Sequence, residues 1–172
     1  MARRPRMTPA GAIVRGVIAG VLGTAAMDLF WYYRYRRGGG SGTPLQYEFG
    51  GKSDWDDVSA PGKIGKRVIE GLTRRELPDR YARVTNTAVH WGYGMFWGSL
   101  YGVLAGSLRR SSALLGLPFA VVVWYSAYAL LPPTGLYKPV WEYDARTLLR
   151  DLGAHLAYGS GVGLSFKAMR KR

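Results

Sequence analysis

Cysteine is absent from this chain of 172 residues, and histidine occurs only twice. Without thiols the protein forms no disulfide bond, and it has neither a thiolate metal site nor a cysteine nucleophile. Acidic residues are also few, since 11 Asp and Glu residues accompany 24 Lys and Arg residues. No stretch of the chain matches an enzyme signature, so we expect no hydrolytic or transferase activity.

Charge is missing from long segments of the chain. Residues 84–108 form a run of 25 uncharged residues, residues 111–137 form a run of 27, and Asp28 is the only charge in residues 16–33. A transmembrane helix needs about 20 predominantly apolar residues. We therefore predict an all-α, polytopic membrane protein that forms a single domain over residues 1–172. Its four spans, arranged as an up-down bundle, are expected at about residues 13–33, 84–108, 113–131 and 147–167.

The first loop, residues 34–83, is the largest segment predicted to lie outside the membrane. Within it Ile64, Val68 and Leu72 recur every fourth residue among basic side chains. This spacing predicts a short amphipathic helix that starts near Pro61 and ends before Pro78. Such a helix is either solvated or lies on the membrane surface.

The net positive charge lies mainly on one predicted face of the bundle. With four spans, the termini and the turn at residues 109–110 share a face that carries 10 basic residues and no acid, whereas the opposite face carries 14 basic and 11 acidic residues. The acid-free face suits anionic lipid headgroups and the cytoplasmic side, although the raw count of basic residues favours the opposite orientation. Nucleic acid is not an expected partner, because the charge is divided among short tails.

Small residues recur every fourth position in two of the predicted spans. We expect the two stripes to pack against each other, because helices approach closely in a membrane where both surfaces carry small residues. The alternatives are that the glycines of the second stripe merely tolerate lipid or that they serve a homodimer. The first stripe consists of Ala12, Gly16, Gly20 and Thr24, and the second of Gly94, Gly98, Gly102 and Gly106, preceded by Asn86 and His90.

The second and fourth spans share a pattern. His90-x-x-Tyr93-Gly94-x-x-x-Gly98 recurs as His155-x-x-Tyr158-Gly159-x-x-x-Gly163, displaced by 65 residues. The repeat predicts two helical hairpins of parallel orientation, related by a pseudo-twofold axis along the membrane normal. Coincidence in a glycine-rich chain is the alternative.

The ionisable residues of the spans are predicted to share one level. Asp28, His90 and His155 each lie five to seven residues from a flanking arginine. At 1.5 Å per residue they are roughly 8–10 Å inside the boundary. Ionisable groups at this depth are costly unless they are paired. We therefore predict a buried polar cluster of Asp28, Asn86, His90, Asp151 and His155.

Three hypotheses account for such a cluster. It is an interhelical hydrogen-bond clamp, a proton- or ion-handling site, or a pair of ligands, His90 and His155, for a b-type haem in an electron-transfer protein. The first two predict a structural component or a small transport or sensing component without a cofactor. A separate metal site is not expected, because the residues lack a spacing signature.

The order of elements resembles the small YagU-type bacterial inner-membrane proteins. The resemblance is carried by the glycine-rich first span, the histidine of the second span, the proline-ended third span, the Trp141-Glu142-Tyr143 loop, and Asp151-x-x-x-His155-Leu156 in the last span. It implies a multi-pass protein of the bacterial inner membrane and supplies no reaction or catalytic residue.

Overall fold

The computed structural model describes residues 7–50, 53–108 and 113–170 of the chain, and within these ranges it is all-helical with no strand. The all-α prediction is confirmed. The helices are α1 (Pro9–Arg37), α2 (Pro44–Phe49), α3 (Ala60–Thr73), α4 (Ala82–Ser107), α5 (Gly116–Leu130) and α6 (Ala145–Arg170).

α1 is longer than the span predicted from hydropathy. It begins at Pro9, where the Thr8 side chain accepts a hydrogen bond from the Gly11 amide, and it continues through the arginine cluster to Arg37. Basic side chains in the last turn interact favourably with the negative end of the helix dipole. The helix ends only at Gly38 and Gly39, the second of which has a positive φ of 94°.

The start of α6 is fixed by a side-chain cap. Asp144 accepts hydrogen bonds from both the amide and the hydroxyl of Thr147, at 2.9 and 2.6 Å. These bonds stabilise the carboxylate and lower the pKa of Asp144 below its usual value. The preceding long helix, α5, ends at a 3₁₀ turn formed by Pro132–Thr134.

The first loop contains two helices where the sequence predicted one. The amphipathic helix is present as α3, close to the expected bounds. The shorter α2 was not predicted, although Thr43 and Gln46 form a reciprocal capping box at its start. That pattern is readable in a sequence, because the first and last positions of Thr-x-x-Gln bond each other's backbone.

α1 and α4 pack antiparallel at backbone contact distance. A Cβ added to Gly98 would lie 2.5 Å from the Gly20 Cα, and one added to Gly102 would lie 2.8 Å from the Gly16 Cα. The structure therefore places the two predicted stripes face to face, so that α1 fills the groove on α4 within one chain. In order along the interface, Ala12, Gly16, Gly20 and Thr24 meet Gly106, Gly102, Gly98 and Gly94.

A second groove joins α5 and α6. A Cβ added to Gly159 would lie 2.5 Å from the Ala120 Cβ, and one added to Gly163 would lie 3.3 Å from the Gly116 Cα. The small-residue stripes predicted from the sequence lie on the first and second spans, and Gly116 was not among the predicted packing residues. α5 packs mainly on α6. Residues 109–112, between α4 and the third span, lie outside the described residues.

α4 and α6 run parallel in a constant register. The Tyr158 hydroxyl donates to the Gly94 carbonyl at 2.7 Å, and the Tyr101 and Phe166 rings pack edge to face with centroids 5.6 Å apart. These pairs are 64 and 65 residues apart, close to the 65-residue offset of the repeated pattern. The register therefore brings the two histidines to the same height. Aromatic side chains of the core lie at this contact between α4 and α6, and the ring of Phe119 on α5 also packs on the ring of Tyr101.

The long helices bury small side chains and expose large apolar ones. Ala19, Ala105 and Ala154 are completely buried. Many leucine, valine and isoleucine side chains instead point outward, and they include Val14 and Leu29 on α1, Val84 on α4, Val122 and Leu130 on α5, and Leu149 and Leu164 on α6. In the described part of the chain, Pro9–Arg37 and Ala113–Thr134 are long and apolar enough to cross a membrane.

The groove between α1 and α4 allows a matched pair of substitutions. Gly98→Ala should lower the free energy of unfolding by about 1–3 kcal/mol, because the new methyl group forces two backbones apart. Gly92→Ala on the same helix has nothing within 4 Å of its added Cβ. It should preserve stability or raise it by up to about 1 kcal/mol, since alanine is the better helix former.

Thermal unfolding followed by circular dichroism in detergent measures both variants. Equal stability of Gly98→Ala and Gly92→Ala would contradict the close packing of the two helices.

Candidate functional site

A histidine–aspartate pair links α1 to α4. The Nε2 atom of His90 lies 2.9 Å from Oδ1 of Asp28. Both side chains are partly buried, with 25% of the histidine and 17% of the aspartate exposed. The pair continues the small-residue interface, since Asp28 stands one helical turn beyond Thr24 and His90 one turn before Gly94. The glycine packing thus sets the distance at which the two side chains meet.

Glu48 of α2 completes this site. Its carboxylate and the ligand atoms of Asp28 and His90 all lie within 4.8 Å of one another. The Trp91 indole donates to Glu48 Oε1 at 3.1 Å and so holds the carboxylate beside α4. Glu48 was not among the site residues predicted from the sequence, since it is far from both partners along the chain. The Asp28–Glu48–His90 site therefore joins three helices.

The loop that carries Glu48 is held against α1 by aromatic side chains. The Tyr47 ring packs on the rings of Tyr32 and Tyr35, with centroids 5.8 and 4.9 Å away. The Tyr32 hydroxyl also donates to the Gly42 carbonyl at 3.1 Å. Burial raises the pKa of Tyr47, and the negative charges of nearby Asp28 and Glu48 raise it further. The aromatic contacts therefore hold α2, which carries Glu48, beside the end of α1.

The second histidine pairs within its own helix. His155 Nδ1 lies 2.8 Å from the Asp151 backbone carbonyl and 3.6 Å from that residue's Oδ1. The other carboxylate oxygen accepts a hydrogen bond from the Tyr128 hydroxyl at 2.9 Å. Tyr137, from the loop before α6, packs on Tyr128, and burial raises the pKa of Tyr137 to about 12. This group ties α6 to α5.

Asn86 belongs to a third group. Its side chain is 2% exposed, and its Oδ1 accepts hydrogen bonds from the Ser59 hydroxyl at 2.8 Å and the Gly62 amide at 3.2 Å. Ser59 precedes α3 and makes no side-chain cap of its own. Asn86 therefore caps α3 from α4, satisfying an amide that the first turn of a helix leaves free.

The five residues predicted as one cluster thus occupy three places. Asp28 and His90 meet between α1 and α4, Asp151 and His155 lie on α6, and Asn86 faces α3. Within the described residues no hydrogen bond or ion pair joins one group to another. Equal height did not bring them together, because residues at one level of a bundle can face different neighbours.

A haem held by His90 and His155 would approach the helices at the glycines one turn further along, Gly94 and Gly159. Those glycines now have other partners, since Gly94 faces Thr24 of α1 and Gly159 faces Gly116 of α5. The Tyr158 hydroxyl also bridges α6 directly to the Gly94 carbonyl. Helix packing therefore accounts for the small residues without a macrocycle.

Comparison of the chain with protein-family models, with curated proteins and with solved structures matched none of them. The resemblance to YagU-type proteins stays a prediction from the sequence.

The cap supplied by Asn86 can be tested by protease sensitivity. Asn86→Ala should cost about 1–2 kcal/mol and loosen the first turn of α3, because a buried amide loses its acceptor. Trypsin cleavage at Lys63 and Lys66 should therefore accelerate. Ser59→Ala removes one donor but leaves the Gly62 bond and should have a smaller effect. Unchanged cleavage in Asn86→Ala would show that the amide needs no such acceptor.

Proposed function

We propose that this chain is a multi-pass protein of the bacterial inner membrane, with α1, α4, α5 and α6 as its four spans. In this proposal it is a structural component or a small transport or sensing component, organised around the pair formed by Asp28 and His90. The observation that carries the proposal is the distribution of side chains, with glycine and alanine between the helices and large apolar residues outside them.

That distribution suits lipid better than water. Soluble monomers rarely expose contiguous apolar patches of more than a few hundred Å². Covering an exposed Leu or Val side chain with apolar material contributes about 1.5–3 kcal/mol. Val122 on α5 is 57% exposed, and Leu164 on α6 is 62% exposed. Lipid would cover such side chains on all four long helices.

The composition of the helix interfaces supports the same proposal. In a bilayer the hydrophobic effect no longer drives one helix onto another, so close van der Waals packing of small residues replaces it. The α1–α4 and α5–α6 interfaces are both of this kind. Among the described residues α4 and α6 are not in the set that is long and apolar enough to cross a membrane, and glycine and tyrosine occupy many of their positions.

The role as a clamp or ion-handling component rests on the Asp28–His90 pair. The hydrogen bond joins two helices near the end of α1, which supports a structural role. Partial exposure of both side chains supports access by a small ion from that end. Ionisable side chains among membrane helices commonly mark such sites.

The cytoplasmic placement of the termini is supported by the basic end of α6. Arg170 donates to the carbonyls of Ala105 and Leu108 at 2.9 and 2.7 Å, so the ends of α6 and α4 meet. Arg15 and Lys167 belong to the same face, whereas its other basic residues, within residues 1–6, 109–110 and 171–172, lie outside the described residues. We propose that anionic lipid headgroups contact this face.

A charged substitution on an exposed face distinguishes lipid from water. Val122→Arg should impair membrane insertion, because arginine at the centre of a span costs about 2.5–3.5 kcal/mol on insertion scales. Leu72→Arg, at an 81% exposed position of α3, should be tolerated. The measurement is the fraction of protein that stays with membranes after alkaline carbonate extraction. Recovery of Val122→Arg and the unmodified chain as soluble protein would refute the membrane proposal.

Reporter fusions test the orientation. A reporter that is active only in the cytoplasm should work when it is fused after Arg172, and a reporter that is active only in the periplasm should work in the first loop, for example after Gly71. The opposite pair of activities would place the basic face outside the cell.

A further inference from the structure

We infer that Asp28, Glu48 and His90 form a binding site for one divalent transition-metal ion. The inference deepens the transport or sensing role proposed above, and it rests on that role only for its biological purpose. The site itself follows from the arrangement of three side chains on α1, α2 and α4.

The distances between the ligand atoms of the three side chains need only small adjustments for all three to bind one metal ion. Their ligand atoms lie within 4.8 Å of one another. Metal bonds to nitrogen and oxygen are about 2.0–2.2 Å long, so two ligands of one ion are separated by up to about 4.4 Å. Small changes of side-chain torsion would bring all three ligand atoms onto one ion.

The charges of the site call for a cation. Two carboxylates that share a site repel each other unless a proton or a cation lies between them. Asp28 Oδ1 faces His90, but Asp28 Oδ2 is buried and has no hydrogen-bond partner among the described residues. No lysine or arginine pairs with Asp28 or Glu48 in the described part of the chain. A metal ion would satisfy the unpartnered oxygen and neutralise both carboxylates.

The surroundings fix the ligands in place. Trp91 donates to Glu48 Oε1, and such hydrogen bonds orient carboxylate ligands in metal sites. The capping box of Thr43 and Gln46 fixes α2, which carries Glu48. The glycine contacts between α1 and α4 fix Asp28 opposite His90. Each ligand is therefore held by a rigid element.

The ligand set indicates the class of metal. One imidazole nitrogen with two carboxylate oxygens suits Zn²⁺, Fe²⁺ or Mn²⁺. Mg²⁺ and Ca²⁺ prefer oxygen ligands alone and should bind more weakly. The Asp151–His155 pair is the internal comparison, because it has one carboxylate, already bonded to Tyr128, and a ring nitrogen bonded to its own backbone.

Isothermal titration of the full-length protein in detergent, after removal of metals with a chelator, tests the site. Zn²⁺ and Mn²⁺ are the probes, and Mg²⁺ and Ca²⁺ are the comparison ions. We expect one Zn²⁺ per chain, with the affinity reduced about 100-fold or more in Glu48→Gln and His90→Ala. His155→Ala and Glu142→Gln are the matched controls and should bind like the unmodified chain.

A variant that keeps all three ligands guards against misfolding. Trp91→Phe should weaken Zn²⁺ binding about 10-fold, because loss of an orienting hydrogen bond typically costs 10–100-fold in affinity. Circular dichroism without metal verifies that each variant folds. Binding that is equal in His90→Ala and His155→Ala, or no binding by the unmodified chain, would overturn the inference.

The test separates this inference from the membrane proposal. Absence of metal binding by a chain that stays in carbonate-washed membranes would refute the metal site alone. Zn²⁺ binding by a chain released in soluble form would leave the site standing and refute the membrane proposal.

Discussion

The contact between the backbones of α1 and α4 is the constraint on which the rest of the structure depends. Gly98 and Gly20 approach so closely that a single methyl group does not fit between them. This contact fixes the rotation and the axial position of both helices. Asp28 then meets His90 without any freedom to slide, since Asp28 lies one turn beyond Thr24 and His90 one turn before Gly94 in the same interface. α2 and α3 are subsequently fastened to the same pair, through Trp91 and Asn86 respectively.

The two copies of the repeated glycine pattern, on α4 and on α6, pack against different helices. On α4 the groove beginning at Gly94 receives α1, and on α6 the groove beginning at Gly159 receives α5. α1 thus packs antiparallel on α4 and α5 antiparallel on α6, and α1 also packs closely on α6. The polar residues do not follow this symmetry. His90 bonds a carboxylate on the other helix of its pair, whereas His155 bonds the helix that carries it.

The sequence predicted local features well and contacts between distant segments only in part. Long uncharged runs predicted the long helices. Four-residue spacing predicted the amphipathic α3 and the stripe that faces Gly98, because such spacing directly reports one face of a helix. It did not identify Glu48, since the position of α2 depends on how the loop folds back onto α1. Asn86 is buried, and its partners are the Ser59 hydroxyl and a backbone amide of α3, which no side-chain pattern reveals. Gly116 was missed because a single glycine forms no stripe.

The order of the residues along the chain has a consequence for assembly during synthesis. Asp28, Glu48 and His90 all lie in the first 90 residues, and their supporting contacts are complete once α4 has been made. Domains generally fold as units from the N-terminal side as the chain emerges. α1 and α4 can therefore pack together, with Asp28, Glu48 and His90 already adjacent, before the ribosome has synthesised α6. Arg170, which binds the last carbonyls of α4, then arrives at a partner that is already in place.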